Sequence, residues 1–426
     1  MQKKSLFFFL LLSVSCIAAD GEEDPFLFDL TEESSGESAP GESFMNTRFS
    51  NTVEGRLRKF TRQSDFLSSR LRLDSSFLAD NRYFSFYVNG LFDYDEAVRP
   101  YDRVLRASLY ELYTRINGSE LGLSGTKVSL GKMRVSWGVN DGRSTVDVLN
   151  ATYVKDPMAN GRTVSRWPSW MFRLEQSTDA GNFEGVILPF GKDRKSARHG
   201  SPWELSSTGY IRDLADKGMV KLEEHHNPKK VEWGIRYIKY MSGFDFGAAG
   251  YFGFSDLPAL KRTGNAMFLM EPVKSQVFNI NSAMTLGNST LRAEAAYSRD
   301  VPVYDDAGNL YYTGMQQFIA GWDRNFDYDI YGNVQFFFDH YNSYTNDYGM
   351  TFSLSQKYLN DALSVGVNAL YGYRNEHSVE AFAEYIVSDS LTLNLRGYMI
   401  GGGPDAGFYK TYDRNDYVEV GFKYYL

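Results

Sequence analysis

The sequence predicts an all-β chain: a closed, transmembrane, antiparallel β-barrel of about 18 strands, with 16 as the alternative count and with long extracellular loops. Three observations point there. The 426 residues have a mean hydropathy of −0.39 and hold no run of about 18 apolar residues, the minimum for a membrane-crossing helix, which excludes a helical membrane protein. Aromatic residues nevertheless make up 16% of the chain, with 30 Tyr and 31 Phe, more than an ordinary soluble domain needs. From about residue 48 onward, apolar and polar residues alternate in short segments separated by turn chemistry. That is the period of a strand with one face to lipid and the other to water.

Taken in order, the chain opens with Lys3 and Lys4, an apolar stretch from Leu6 to Leu12, and a small-residue region at Cys16, Ile17, Ala18 and Ala19. Residues 1–19 therefore read as a cleaved secretory signal peptide. Lipidation of Cys16 is disfavoured by Ser13, where a lipobox wants Leu. Once Cys16 leaves with the leader, disulfide, thiol-nucleophile and thiolate-metal chemistry leave with it. Residues 20–47 are acidic, with Asp20, Glu22, Glu23, Asp24, Asp29, Glu32, Glu33, Glu37 and Glu42 and no Lys or Arg. This composition predicts a disordered periplasmic segment. Its alternative is an acidic plug or docking strand that meets the arginines of the first strands.

The barrel is expected over residues 48–426. Its last strand is the clearest: Val418, Val420, Phe422, Tyr424 and Leu426 share one face, while Tyr417, Glu419, Gly421, Lys423 and Tyr425 share the other. The same alternation assigns a lumen-facing, pore-lining set: Arg70, Arg72, Asp74, Glu232, Arg236, Arg292, Glu294, Glu380, Glu384 and Arg396. The arginines of the early strands and the late Glu380 and Glu384 suggest two opposed charged walls with a transverse field, or else groups that neutralise one another. Tight connections near 79–81, 116–120, 177–182, 241–244, 287–289, 326–328, 358–362 and 387–390 alternate with longer ones at 136–167, 191–229, 255–274, 301–313 and 401–415. Strands four and five fit worst. Their alternation sends Glu111 and Lys132 toward lipid, so a bulge or the membrane edge must intervene.

Several segments resemble an uncharacterised group of Gram-negative outer-membrane barrels related to porins and alginate-export-like channels. They begin with Gly131-Lys132-Met133-Arg134-Val135-Ser136-Trp137-Gly138 and Asp147-Val148-Leu149-Asn150, where Ala151 replaces the group's proline. They continue through Trp167-Pro168-Ser169-Trp170, Glu184 to Pro189, Glu232 to Tyr237 and Arg292 to Tyr297. The resemblance marks Gly131, Trp137, Gly138, Asp147 and Asn150, and implies a porin-like fold, transport and residence in the cell outer membrane. Trp137 and Gly138 read either as a membrane-belt anchor with a turn glycine or as part of a loop that folds inward, which an Arg143–Asp147 ion pair could orient. The implied partners are outer-membrane lipid and lipopolysaccharide, the barrel-assembly machinery and a small-molecule solute; a homo-oligomer is left open.

Enzyme chemistry finds no support. No Gly-x-Ser-x-Gly elbow accompanies the five histidines, and neither a P-loop nor a dinucleotide fingerprint occurs. The adjacent His225 and His226 lack the spacing of a helical metal site, so no metal and no cofactor are expected, and the net charge of −8 opposes nucleic-acid binding. Two functions remain: a channel or exporter for small solutes with selectivity set by lumen charges, or a structural or ligand-binding surface barrel with a closed lumen.

Overall fold

The computed structural model describes residues 45–140, 142–156, 166–192, 194–225, 230–264, 266–305, 308–404, 406 and 408–426. The leader expected over 1–19 and nearly all of the acidic segment expected over 20–47 lie outside the described residues. The rest forms an 18-stranded antiparallel sheet. We number its strands β1 (Asn46–Phe60), β2 (Phe66–Asp80), β3 (Phe84–Asp95), β4 (Leu105–Asn117), β5 (Thr126–Met133), β6 (Ser169–Thr178), β7 (Gly181–Leu188), β8 (Glu232–Met241) and β9 (Phe244–Phe254). The second half comprises β10 (Lys274–Leu286), β11 (Ser289–Tyr304), β12 (Leu310–Phe326), β13 (Ile330–Tyr341), β14 (Thr345–Tyr358), β15 (Leu363–Gly372), β16 (His377–Ser388), β17 (Leu391–Gly401) and β18 (Tyr417–Tyr425). β1 begins at Asn46, ahead of the boundary expected at 48.

Each strand pairs with its chain neighbour, and β18 returns to β1 in register from Thr52↔Tyr425 to Phe60↔Tyr417. Closure satisfies backbone groups that an open edge would leave bare in lipid. Short turns at one end alternate with generally longer connections at the other, of which 134–168 and 189–231 are the longest. The longer connections carry the helix α1 (Ser206–Asp216) and two small sheets: Ala151–Val154 with Arg166–Trp167 and Lys195–Ser196, and Lys221–Glu224 with Ala259–Gly264 and Met267–Glu271.

The sheet is inside out relative to a soluble fold. On β14, Tyr348, Met350, Phe352 and Leu354 are exposed while Asp347, Thr351, Ser353 and Ser355 are buried. On β13, Phe336 and Phe338 face out and Asn333, Gln335 and Asp339 face in. Exposed apolar side chains all round the barrel and a polar interior are stable only where the outer surface meets hydrocarbon.

Strands β4 and β5 resolve their misfit in two ways. Leu109 opposes Gly90 and Glu111 opposes Asn89, so Tyr110 is an extra, bulged residue that turns Glu111 inward, where it is buried beside Arg134. Lys132 stays on the outer face with Leu130, but at the loop end of its strand. Its ammonium reaches the Leu109 carbonyl and lies 5.3 Å from the Trp167 ring, the position of a snorkelling lysine at a membrane edge. Gly131 next to it adopts φ +142, and a Cβ there would sit 2.1 Å from the Leu112 carbonyl oxygen. Only glycine lets β4 and β5 approach at this point.

Candidate functional site: a segment folded into the barrel

Of the ten residues assigned to the lumen by alternation, Glu232, Glu294, Glu380 and Arg396 are buried and Arg70, Arg72, Asp74, Arg236, Arg292 and Glu384 half-buried. Most are engaged. Arg72 donates to both oxygens of Asp93 at 2.7 and 3.1 Å, Arg292 pairs with Asp323, and Arg236 donates to Glu184 at 2.6 and 3.0 Å. Asp74 accepts from Asn89, and Glu232 faces Lys192 at 3.3 Å and accepts from Tyr251.

The expectation of two opposed charged walls is not met. Arg396 lies 3.2 Å from Glu380, 3.6 Å from Glu384 and 3.9 Å from Glu419, and Glu419 in turn accepts from Arg58 on β1. Because β18 closes onto β1, the late carboxylates and the early arginines are near neighbours around the ring. Glu380, Arg396, Glu419 and Arg58 alternate in sign across β16, β17, β18 and β1, and beyond them Arg56 and Arg70 stand side by side across the β1–β2 pair.

The connection after β5 supplies what alternation could not place. Its two ends are clamped by Asn150, whose amide oxygen accepts from Val135 N–H at 2.7 Å while its amide nitrogen donates to the Met133 carbonyl at 3.0 Å. Asp147 then organises the first turn, accepting from Ser136 Oγ at 2.8 Å, Trp137 N–H at 3.0 Å and Gly138 N–H at 3.2 Å. Trp137 is 1% exposed, so it is an interior residue and not a membrane-belt anchor. Its indole N–H donates to Glu184 at 3.1 Å, and its ring fills the space beside Gly234, where a Cβ would lie 2.7 Å away. Burying an indole with its N–H satisfied gives a large apolar anchor without an orphan donor.

Beyond Trp137 the segment crosses to the far wall. Glu294 of β11, 1% exposed, accepts from Val139 N–H, Asn140 N–H, Ser144 Oγ, Thr145 N–H and Thr145 Oγ1, at 2.7 to 3.1 Å. A buried carboxylate is tolerable only when so many donors replace its lost water. Arg143 pairs with Asp339 of β13, not with Asp147, and its guanidinium lies 4.3 Å from the Phe337 ring. Thr145 Oγ1 also accepts from Asn279 of β10 at 2.7 Å. The chain then returns to β1, where Asp156 meets Arg56 and, at 2.8 Å, Arg58. Residues 134–140 and 142–156 therefore run inside the barrel, held by several strands.

The segments that carry the sequence resemblance meet here. Gly131, Trp137, Asp147 and Asn150 shape the insertion, and Glu184, Gly234, Arg236 and Glu294 receive it. The connection 189–231 has its own clasp: His199 lies 2.8 Å from Glu204 and 3.4 Å from both Asp213 and Asp216, the last three flanking or lying on α1. The hydrogen bond that the imidazole makes to Glu204, aided by the two aspartates, raises its pKa above the ordinary value.

No protein-family model matches this sequence, and no curated protein matches it. Among solved structures, the chain is similar to Pseudomonas aeruginosa OccD3 (OpdP), with a TM-score of 0.52 at 10% identity over 89% of this chain and 91% of that one. It also matches an anion-selective porin from Comamonas acidovorans, with a TM-score of 0.47 at 10% identity over 90% of this chain and 100% of that one. Salmonella typhi OmpF in complex with daunomycin gives a TM-score of 0.45 at 13% identity, over 89% and 97%. The chain has a porin-like barrel fold, as its resemblance to porin-related barrels implies.

Proposed function

We propose that this chain is an outer-membrane, porin-like channel for small hydrophilic solutes, in which residues 134–156 set the width of the passage and lumen-facing charges set its selectivity. The observation that carries the proposal is the crossing of the lumen by this segment, with Glu294 taking five hydrogen bonds from it. The same reading includes a leader over residues 1–19, membrane insertion by the barrel-assembly machinery, contact with lipopolysaccharide, and a homo-oligomer as an open arrangement.

One observation favours a second reading, a closed barrel whose loops bind ligands at the surface: Arg58, Arg396 and Glu419 are deeply buried in their ion pairs. Arg70 separates the two. It is 3.6 Å from Glu54 and 4.0 Å from Asp93, and Asp93 is already bound by Arg72. In an open channel, Arg70→Ser moves the reversal potential in a salt gradient toward cation selectivity, with little change in the urea midpoint, because the lost field acts on passing ions. In a closed barrel, adding Arg72→Ser to that change leaves the buried Asp93 unpaired, at a cost of about 3–5 kcal/mol. A large fall in the urea midpoint with unaltered selectivity sinks the channel reading.

A further inference from the structure

Between the inserted segment and the inner wall of β10 to β13 lies a partly enclosed chamber of about 160 Å³. A water needs roughly 10–15 Å³ of such space, so the chamber takes on the order of a dozen water-sized atoms. One pyranose ring with its hydroxyls has about that many heavy atoms.

The lining is two-sided. Val277, Val301 and Met315 of the barrel wall and Val148 of the segment present aliphatic carbon, and among them stand the uncharged polar groups of Ser298, Gln317 and Tyr341. Charge is present but matched. The lining holds five cations and four carboxylates, and Glu232, 3.3 Å from Lys192, brings the carboxylates to five. Arg143 is paired with Asp339 and stacks on the Phe337 ring, Arg299 faces Asp300 at 3.7 Å, and Asp147 is filled by Ser136 and the N–H groups of Trp137 and Gly138. The hydroxyls of Ser298 and Tyr341, by contrast, make no hydrogen bond among the described residues. Gln317 donates its amide N–H to Asp339 at 3.2 Å, which turns its amide oxygen, equally unengaged, toward the chamber.

A charged solute would surrender its hydration here without gaining a counter-ion, because each ionic group already has its partner. A polyhydroxylated solute meets two hydroxyls that both donate and accept, and an amide oxygen that accepts. Its C–H faces lie against the valines and the methionine, the usual division of labour in a small-molecule site.

We propose that this chamber binds an uncharged, polyhydroxylated solute the size of one monosaccharide, with Ser298, Gln317 and Tyr341 reading its hydroxyls. The proposal rests on the channel reading for the route by which the solute arrives, and deepens it by naming a class of solute. Three hydrogen-bonding groups around a ligand of this size give a dissociation constant on the order of millimolar, weak enough for a pore that must release what it binds.

The test is saturation-transfer NMR of the folded full chain in a detergent without a sugar headgroup, with glucose, gluconate and glucosamine as separate probes. Glucose should saturate in the millimolar range, and its acidic and cationic analogues should bind about tenfold more weakly or less. Ser298→Val and Tyr341→Phe each remove one hydroxyl at nearly constant shape, and each should weaken glucose binding about three- to tenfold. Absence of glucose binding to the wild type overturns the site, and does so without any variant having to fold. Gluconate or glucosamine binding as well as glucose overturns the uncharged assignment. Unchanged glucose binding in folded, heat-modifiable Ser298→Val and Tyr341→Phe overturns the chamber as its location. Conductance of the same preparation in planar bilayers separates the two levels: glucose binding without conductance strikes the channel reading, whereas conductance without glucose binding strikes only the chamber.

Discussion

Replacing Glu294 by Ala should unpin the inserted segment while leaving the barrel closed. The carboxylate accepts from three backbone N–H groups and two hydroxyls of residues 139–145. At roughly 0.5–1.5 kcal/mol net for each hydrogen bond, with water able to re-solvate some of the freed donors, the segment loses about 3–6 kcal/mol of attachment. That moves the ratio of pinned to released segment by roughly two to four powers of ten. The strand itself is spared, because Glu294 keeps its place in the ladder opposite Asn281 and Ile319. Single-channel recording in planar bilayers reads the result as a larger mean conductance with greater open-channel noise, and heat-modifiable gel migration verifies that the barrel is intact. Glu294→Gln, which keeps one acceptor oxygen, should fall between the two. A folded Glu294→Ala barrel with wild-type conductance and noise would refute the pinning argument.

Gly131→Ala should impair assembly, since its Cβ would collide with the Leu112 carbonyl and the φ of +142 disfavours any side chain; the yield of heat-modifiable protein measures it, and a normal yield contradicts the close approach. Removing Tyr424 to Leu426 deletes the Thr52 and Val53 pairings that start the β1–β18 seam, and membrane insertion should drop; unchanged insertion counts against closure there. The His199 clasp should be pH-dependent. Because its folded pKa is raised above the ordinary value of about 6.5, its contribution is complete below that value and is lost as pH rises through the higher folded pKa. Hydrogen exchange of Ser206–Asp216, corrected for intrinsic rates, should therefore accelerate on going from mildly acid to alkaline pH, and equal protection at both would remove the clasp.

What could be read from the sequence is what depends on neighbouring residues. Alternation fixes which side of β2 bears Arg70, Arg72 and Asp74, and the conflict at Glu111 called for the bulge that Tyr110 provides. The insertion depends on pairs far apart in the chain. Nothing local distinguishes Trp137 in the interior from a tryptophan at the membrane edge, since Glu184, Gly234 and Glu294 come from three other strands. Arg143 meets Asp339, 196 residues away, in preference to Asp147 close by. The opposed walls failed for a related reason: a linear chain puts β16 far from β2, whereas closure puts them on the same side. The resemblance segments held the missing signal, because Glu184, Gly234, Arg236 and Glu294 all lie within them.

The central claim is an open lumen narrowed by residues 134–156, and the most direct measurement is single-channel recording of the unmodified, refolded chain in planar bilayers. Discrete conductance steps that shrink as uncharged solutes small enough to enter the pore are added, and recover with solutes too large to enter, are the expected result. A folded, heat-modifiable barrel that inserts into the bilayer and gives no steps would contradict it.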